Sequence, residues 1–109
     1  MKRTTPFGRI YFFVSRIPKG SVSTYKDIAK AAGVKNPRVV GFALHQNKNP
    51  HKIPCHRVVL RTGHLANGYA FGGAKAQEEK LRKEGVAFLS KNRVDLAKCL
   101  TKLFPNYVP

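Results

Sequence analysis

Two short helix signatures, separated by only a few residues, constrain this chain more than any other feature of its sequence. Thr24 with Asp27 three residues on reads as an N-cap and N3 pair, and Tyr25, Ile28, Ala29 and Ala32 then share one face before Gly33 ends the helix. Asn36-Pro37 starts a second helix, predicted from about Pro37 to Gln46, with Val40, Ala43 and Leu44 as its buried stripe. Two short helices joined by a tight glycine-containing turn make a helix-turn-helix, whose second helix can lie in a DNA groove. Upstream, Phe7, Ile10, Tyr11 and Val14 repeat at helical spacing, and Pro18-Lys19-Gly20 predicts that this first helix ends near Arg16.

Downstream, Ile53 to Leu60 turns at Arg61-Thr62-Gly63 into His64-Leu65-Ala66, which predicts a small hairpin, or wing. Asn67 to Gly73 is an aromatic, glycine-rich loop around Tyr69 and Phe71 that can approach a ligand. A helix follows from about Ala74 to Lys83 and stops at Gly85. The tail pairs a short extended piece at Val86 and Phe88 with Leu96, Cys99, Leu100 and Leu103 at helical spacing before Pro105. The expected fold is mainly α, a winged-helix-like helix-turn-helix domain with a small β-hairpin wing. With 109 residues the chain is read as one domain.

Charge narrows the partner. Lys and Arg number 21 against 5 Asp and Glu, a surplus of +16 that attracts polyanions such as nucleic acid or anionic lipid. No apolar run approaches the roughly 20 residues of a membrane helix, so no membrane span is expected. The basic start, Met1 to Pro6, lacks the apolar core of a secretory signal, and a cytoplasmic, monomeric protein is expected. The two cysteines, Cys55 and Cys99, are too few for a disulfide scaffold and read as free thiols.

Pro54-Cys55-His56-Arg57 is the tetrapeptide richest in chemistry. A thiol beside an imidazole and a guanidinium has neighbours that favour thiolate, the nucleophilic form. In an extended segment His56 and Cys55 would point to opposite faces, so a bridging water would be needed to carry the proton. Glu84, at the end of its helix, is a candidate to hold the other imidazole nitrogen. The plainer alternative makes Cys55 a small buried hydrophobe, as Cys99 is expected to be. His51, Cys55, His56 and either His64 or Cys99 offer zinc donors without the paired spacing of a zinc site, and no metal is expected. On the second helix of the pair, Arg38, Gly41, Phe42 and His45 lie away from the buried stripe. Gly41 costs that helix about 1 kcal/mol relative to Ala and marks a surface that something approaches. Phe42 is expected to be exposed, with a satellite core contact as its alternative.

Taken in order, Ile17-Pro18-Lys19-Gly20-Ser21-Val22-Ser23-Thr24-Tyr25, Arg38-Val39-Val40-Gly41, Asn47, Ile53-Pro54-Cys55-His56-Arg57-Val58-Val59 and Glu84-Gly85 resemble the C-terminal domain of O6-alkylguanine-DNA alkyltransferases. The resemblance runs from about Pro6 to Gly85. It implies a helix-turn-helix that binds double-stranded DNA in the minor groove, flips out O6-alkylguanine and moves the alkyl group irreversibly to Cys55, with no cofactor. By the same resemblance His56 and Glu84 activate Cys55 through water, and Asn47 orders the active-site turn. Tyr25 donates to the guanine ring, and the Val58 carbonyl reads the exocyclic amine. Arg38 fills the space left by the flipped nucleotide, with Gly41, Phe42, His45, Thr24 and Arg57 as further DNA contacts. Tyr69 and Phe71 line the substrate pocket.

Two departures bear on that expectation. The loop Asn67 to Gly73 is longer than the family's usual loop and lacks a hydroxyl beside its glycines, and Gln77 stands where a lysine is often found. The single-domain size also resembles the alkyltransferase-like proteins, which bind alkylated DNA and flag it for excision-repair proteins without transfer. Those typically replace the cysteine, whereas Cys55 is present here and the chain has no Trp. A plain winged-helix DNA-binding protein, reading base edges without preference for damage, is a third reading.

Overall fold

The structure is a computed structural model that describes residues 5–66 and 68–101. Helix α1 (Pro6–Ser15) begins on the Thr5 hydroxyl, which accepts from the Gly8 amide at 2.9 Å, with Pro6 in the first turn where its missing N–H has no intrahelical partner to lose. Strand β1 (Ser23–Thr24) runs directly into α2 (Tyr25–Ala32). Thr24 caps α2 by accepting from the Asp27 amide at 3.0 Å, and Gly33 closes it with φ of 70°, a left-handed conformation that L side chains rarely adopt. Helix α3 (Arg38–His45) is one residue shorter at each end than the sequence predicts. Pro37 occupies the cap position, and the Asn36 side chain accepts from the Arg38 amide at 3.0 Å.

Helix α1 locks this pair in place from behind. Arg9 Nε donates to the Ala32 carbonyl at the end of α2 (2.7 Å), and the Tyr11 hydroxyl donates to the Ala43 carbonyl in α3 (2.6 Å). Ile10, Phe13 and Val14 of α1, Ile28 and Ala32 of α2, and Val40 and Leu44 of α3 form the first core. Each of the larger side chains contributes roughly 1.5–3 kcal/mol by leaving water. The helix-turn-helix is therefore held by its apolar stripes, which leaves its other face for a partner.

A predicted wing at residues 53–66 does not form. Pro54 has no N–H to give a ladder, and the Arg57 amide turns back onto the Pro54 carbonyl at 2.9 Å, so Cys55–Arg57 is a single 3-10 turn. Only Val58–Val59 is extended, as β2, and it pairs in parallel with β1, Ser23 opposite Val58 and Thr24 opposite Val59. The turn at Arg61–Gly63 does close, with the Leu60 amide donating to the His64 carbonyl at 2.9 Å. Beyond it the chain crosses to the tail: the Leu65 amide donates to Asn92 (3.1 Å) and the Val94 amide to Gly63 (2.8 Å). Gly63 has φ of 91°, and a Cβ there would lie 2.6 Å from the Val94 carbonyl oxygen, so any other residue would strain the crossing. The antiparallel hairpin among the described residues is instead β3 (Phe88–Ser90) with β4 (Arg93–Val94).

Adjacent residues of β2 face opposite sides, and this splits the molecule into two cores. Val58 packs with the helix-turn-helix, while Val59 joins Val22, Leu65, Val86, Val94, Cys99 and the Leu81 side chain of α4 (Gly73–Lys83). The tail closes this second core through the short α5 (Leu96–Cys99): the Val22 amide donates to the Cys99 carbonyl (2.9 Å), and the Thr101 amide to Val22 (2.8 Å). Cys99 is buried as expected, whereas Leu103, expected on the same helical stripe, and Asn67 of the aromatic loop lie outside the described residues.

Candidate active site

The 3-10 turn puts Cys55, His56 and Arg57 at the junction of the two cores. Cys55 is 3% exposed, and its amide donates to the Ile53 carbonyl at 2.7 Å. Burial pushes the thiol above its ordinary range, and the nearby Asn47 amide and Lys80 ammonium only partly oppose that. The thiolate expected from neighbouring cations is therefore not the resting form; the electropositive side chains next in sequence do not face the sulfur as a free field.

Arg57 shows why. Its Nε and Nη2 donate to the two carboxylate oxygens of Glu84 at 3.0 and 2.6 Å, and Nη1 donates to the Ile17 carbonyl at 2.8 Å. These three bonds run inward, so a clamp on the turn stands beside the DNA contact expected of Arg57. Glu84 caps the end of α4, and burial alone would raise its pKa. The hydrogen bonds and charge of Arg57 and His56 outweigh that and hold the carboxyl below its usual range, ionised.

His56 Nε2 lies 3.0 Å from Glu84 Oε2, within reach of both an ion pair and a hydrogen bond. Burial lowers the imidazole pKa more than Glu84 raises it, so the ring is neutral near pH 7. An ionised carboxylate only accepts, so the tautomer with hydrogen on Nε2 follows, leaving Nδ1 with its lone pair. Nδ1 is buried and makes no hydrogen bond among the described residues. His56, Glu84 and Arg57 thus form a chain from a neutral imidazole to a clamped carboxylate, and the protonated Cys55 is the residue before His56 in the same turn.

Asn47 braces the loop that precedes the turn. Its Nδ2 donates to the Ile53 carbonyl at 2.8 Å, and its Oδ1 accepts from the Asn49 amide at 2.9 Å. Tyr25, the first residue of α2, is partly buried, and loss of solvent, with a smaller contribution from the Cys55 charge, pushes its hydroxyl up to about 12. It keeps its proton and remains a donor. Tyr69 is buried against the first core, stacks edge-on against Phe71 with ring centres 5.8 Å apart, and accepts from Lys80 Nζ at 2.6 Å. The ammonium also lies 5.2 Å from the Tyr69 ring centre, but with so short a contact to the hydroxyl the hydrogen bond is the interaction that counts.

Two residues of this site lay outside the sequence-based set. Gln77 is 1% exposed, and its Nε2 donates to both the His56 carbonyl (3.0 Å) and the Val58 carbonyl (2.9 Å), fastening the turn to α4. The Val58 carbonyl, expected to await a ligand, already accepts one hydrogen bond. Lys80 reaches Tyr69 from the next turn. Gln77, Lys80, Leu81 and Glu84 fall at i, i+3, i+4 and i+7, a spacing that would have marked them as one inward face.

The remaining candidates divide by position. Thr24 is buried as the α2 cap, its hydroxyl occupied by the Asp27 amide. Arg38, Phe42 and His45 are exposed on α3, and among the described residues nothing beyond its chain neighbours and its own helix backbone lies within 4 Å of a Cβ placed on Gly41. Between α2, the turn after it and Leu60–Thr62 is a groove of about 810 Å³ that Tyr25 shares and Cys55 does not. Lys26, Lys30, Lys35 and Arg61 are among the residues that line it. Among the described residues no three His, Cys, Asp or Glu side chains gather to hold a metal, and no helix is long and apolar enough to cross a membrane.

The chain is 33% identical over 104 residues to a bifunctional methyltransferase/endonuclease of Picrophilus torridus, covering 94% of this chain and 34% of that protein. It is 44% identical over 79 residues to a methylated-DNA–protein-cysteine methyltransferase of Methanothermobacter thermautotrophicus, covering 72% of this chain and 43% of that one. The chain thus spans less than half the length of these two curated relatives. Among solved structures, S. pombe Atl1 in complex with damaged DNA containing O6-carboxymethylguanine superposes with a TM-score of 0.79 at 28% identity, over 94% of this chain and 99% of that one. The O6-methylguanine-DNA methyltransferase of Pyrococcus kodakaraensis KOD1 gives 0.64 at 37% identity, over 73% of this chain and 46% of that one. The family described as 6-O-methylguanine DNA methyltransferase, DNA binding domain, matches residues 6–86, and it is to this family that the chain belongs.

Proposed function

We propose that the protein binds duplex DNA carrying O6-alkylguanine, turns the lesion out of the base stack, and takes its alkyl group onto Cys55. The observation that carries this reading is the turn in which buried Cys55 is followed by a neutral His56 backed by the Arg57-clamped Glu84. The thiol proton passes to His56 Nδ1, directly or through a water, and the resulting imidazolium is stabilised by Glu84. The sulfur attacks the alkyl carbon; an S–C bond forms as the C–O6 bond breaks, and the electron pair leaves with the purine. Tyr25, protonated at any physiological pH, donates to the purine ring and makes it a better leaving group. A thioether carbon is a poor electrophile, so each molecule reacts once, and no cofactor enters the balance.

DNA binding rests on the +16 surplus, the cations along the groove beside Tyr25, and the exposed face of α3. Arg38 enters the gap left by the flipped nucleotide. Tyr69 and Phe71 form a wall of the alkyl pocket.

The test is intact mass after incubation with a duplex containing one O6-methylguanine, followed by peptide mapping. The expected result is a stoichiometric gain of one methyl group on Cys55, abolished by Cys55→Ala while DNA binding persists. The second reading is a damage sensor that binds the lesion without transfer and hands it to excision-repair proteins, favoured by the near-complete overlap with Atl1. Preference for the damaged duplex without mass gain would select it. Equal binding to both duplexes would select a plain DNA-binding protein instead.

A further inference from the structure

Phe42 is 62% exposed, the most exposed large apolar side chain among the described residues. Val40, Ala43 and Leu44 bury the inner stripe of α3, while Arg38, Gly41, Phe42 and His45 fall at i, i+3, i+4 and i+7 on the opposite side. Helical aromatic side chains lean toward the N-terminus, so the Phe42 ring covers the turn that carries Arg38. Beside it, the space over Gly41 is open to 4 Å, which lets another backbone approach the helix closely. An apolar ring flanked by a cation, an imidazole and a bare backbone, on a chain of +16, suits a duplex better than it suits a protein surface.

We infer that Phe42 is a wedge, inserted between base pairs next to the step that Arg38 enters. This rests on the proposal that the chain binds DNA, and adds to it a second insertion point. Phe42 lies about 6 Å along the helix axis from Arg38, nearly two base-pair rises of roughly 3.4 Å, so the two side chains reach different steps. Apolar side chains that enter a minor groove unstack a step and bend the duplex toward the major groove. Holding the neighbouring step open lowers the stacking that a flipping nucleotide must break. The ring is not a catalytic group; it positions the DNA.

The chain has no tryptophan, so Phe42→Trp introduces a unique reporter. Its emission is measured during titration with a duplex containing one O6-methylguanine and with the unmodified duplex, alongside Phe42→Ala and end-to-end energy transfer across the DNA. The wedge predicts severalfold quenching of the tryptophan by base stacking. It also predicts roughly tenfold weaker binding and a smaller bend for Phe42→Ala, with an unchanged salt slope because no phosphate contact is lost. Unquenched emission in the bound complex, or an alanine variant that binds and bends like the parent, overturns the wedge and leaves damage recognition standing. Quenching that is equal on both duplexes keeps the wedge and overturns damage preference. Absence of binding to either duplex overturns both.

Discussion

Arg57 and Glu84 meet fork to fork: two guanidinium nitrogens lie 3.0 and 2.6 Å from the two oxygens of one carboxylate, tying the active-site turn to the end of α4. Twenty-seven residues separate them in sequence, and the Ile17 carbonyl takes a third bond at 2.8 Å. This clamp decides what two nearby residues do. It keeps Glu84 ionised beside His56, and it turns Arg57 inward.

Arg57→Ala should therefore lower stability by about 2 kcal/mol, the order expected for losing hydrogen bonds to a charged group at a partly buried site. Urea denaturation measures this. The salt slope of DNA binding should stay unchanged in that variant. A reduced slope for Arg57→Ala would make it a DNA contact as well.

The pH dependence of stability should show a plateau with losses on both sides. His56 is held below its ordinary 6.5, so its contribution is present above that value and is lost as pH falls through the lower folded value. Glu84, held below 4.5, adds a second loss further into acid. Cys55 is raised above 9.0 and Tyr25 from 10.0 to about 12, so their contributions are present below the unfolded values and are lost as pH rises through the folded ones. Thermal melts from about pH 2 to 12 test the shape, and Cys55→Ser should remove the earlier part of the alkaline loss. Alkyl transfer should fall on the acid side with His56 protonation, without a matching loss of DNA affinity at mildly acid pH.

Gln77 offers a sharper contrast. Gln77→Leu leaves the His56 and Val58 carbonyls without their donor and should cost about 1–3 kcal/mol. Gln77→Glu keeps the shape but brings carboxylate oxygens to two carbonyls, so it should be the more damaging at neutral pH and should recover in acid. Equal stability of the two variants at pH 7 would mean that the hydrogen bonds do not hold the turn. Transfer rates should fall in both, because the turn carrying Cys55 loosens.

The helix-turn-helix was legible because its signals are local. Thr24, Gly33 and Asn36-Pro37 act through neighbours a few residues away, and they mark the helices to within a residue. The wing was misread because an apolar run such as Ile53–Leu60 does not say which partner its backbone will find. A proline turned it into a 3-10 turn, and β1, some 35 residues earlier, took the two residues left extended. The Cys-His-Glu constellation was named from the sequence, but its electrostatics were not, since burial of the thiol and the inward turn of Arg57 depend on how the two cores close. Gln77 shows the same limit: its spacing was visible, its carbonyl partners were not.

Gly41 and Gly63 look alike in the sequence and should answer alanine in opposite ways. At Gly63 the backbone is left-handed and a Cβ meets the Val94 carbonyl at 2.6 Å, so Gly63→Ala should destabilise by about 1–3 kcal/mol. Gly41 lies inside α3 with helical backbone and open space, so Gly41→Ala should stabilise by about 0.5–1 kcal/mol. A glycine that lowers helix stability with no packing reason inside the protein is explained by something outside it. The alanine variant should therefore melt higher yet bind the O6-methylguanine duplex more weakly, because the added methyl holds the backbone of α3 off the DNA. Thermal melts and anisotropy titrations on one protein preparation test both halves. A variant that gains stability and keeps full affinity would mean that the DNA does not approach α3 at Gly41, and the docking of this helix would have to be redrawn.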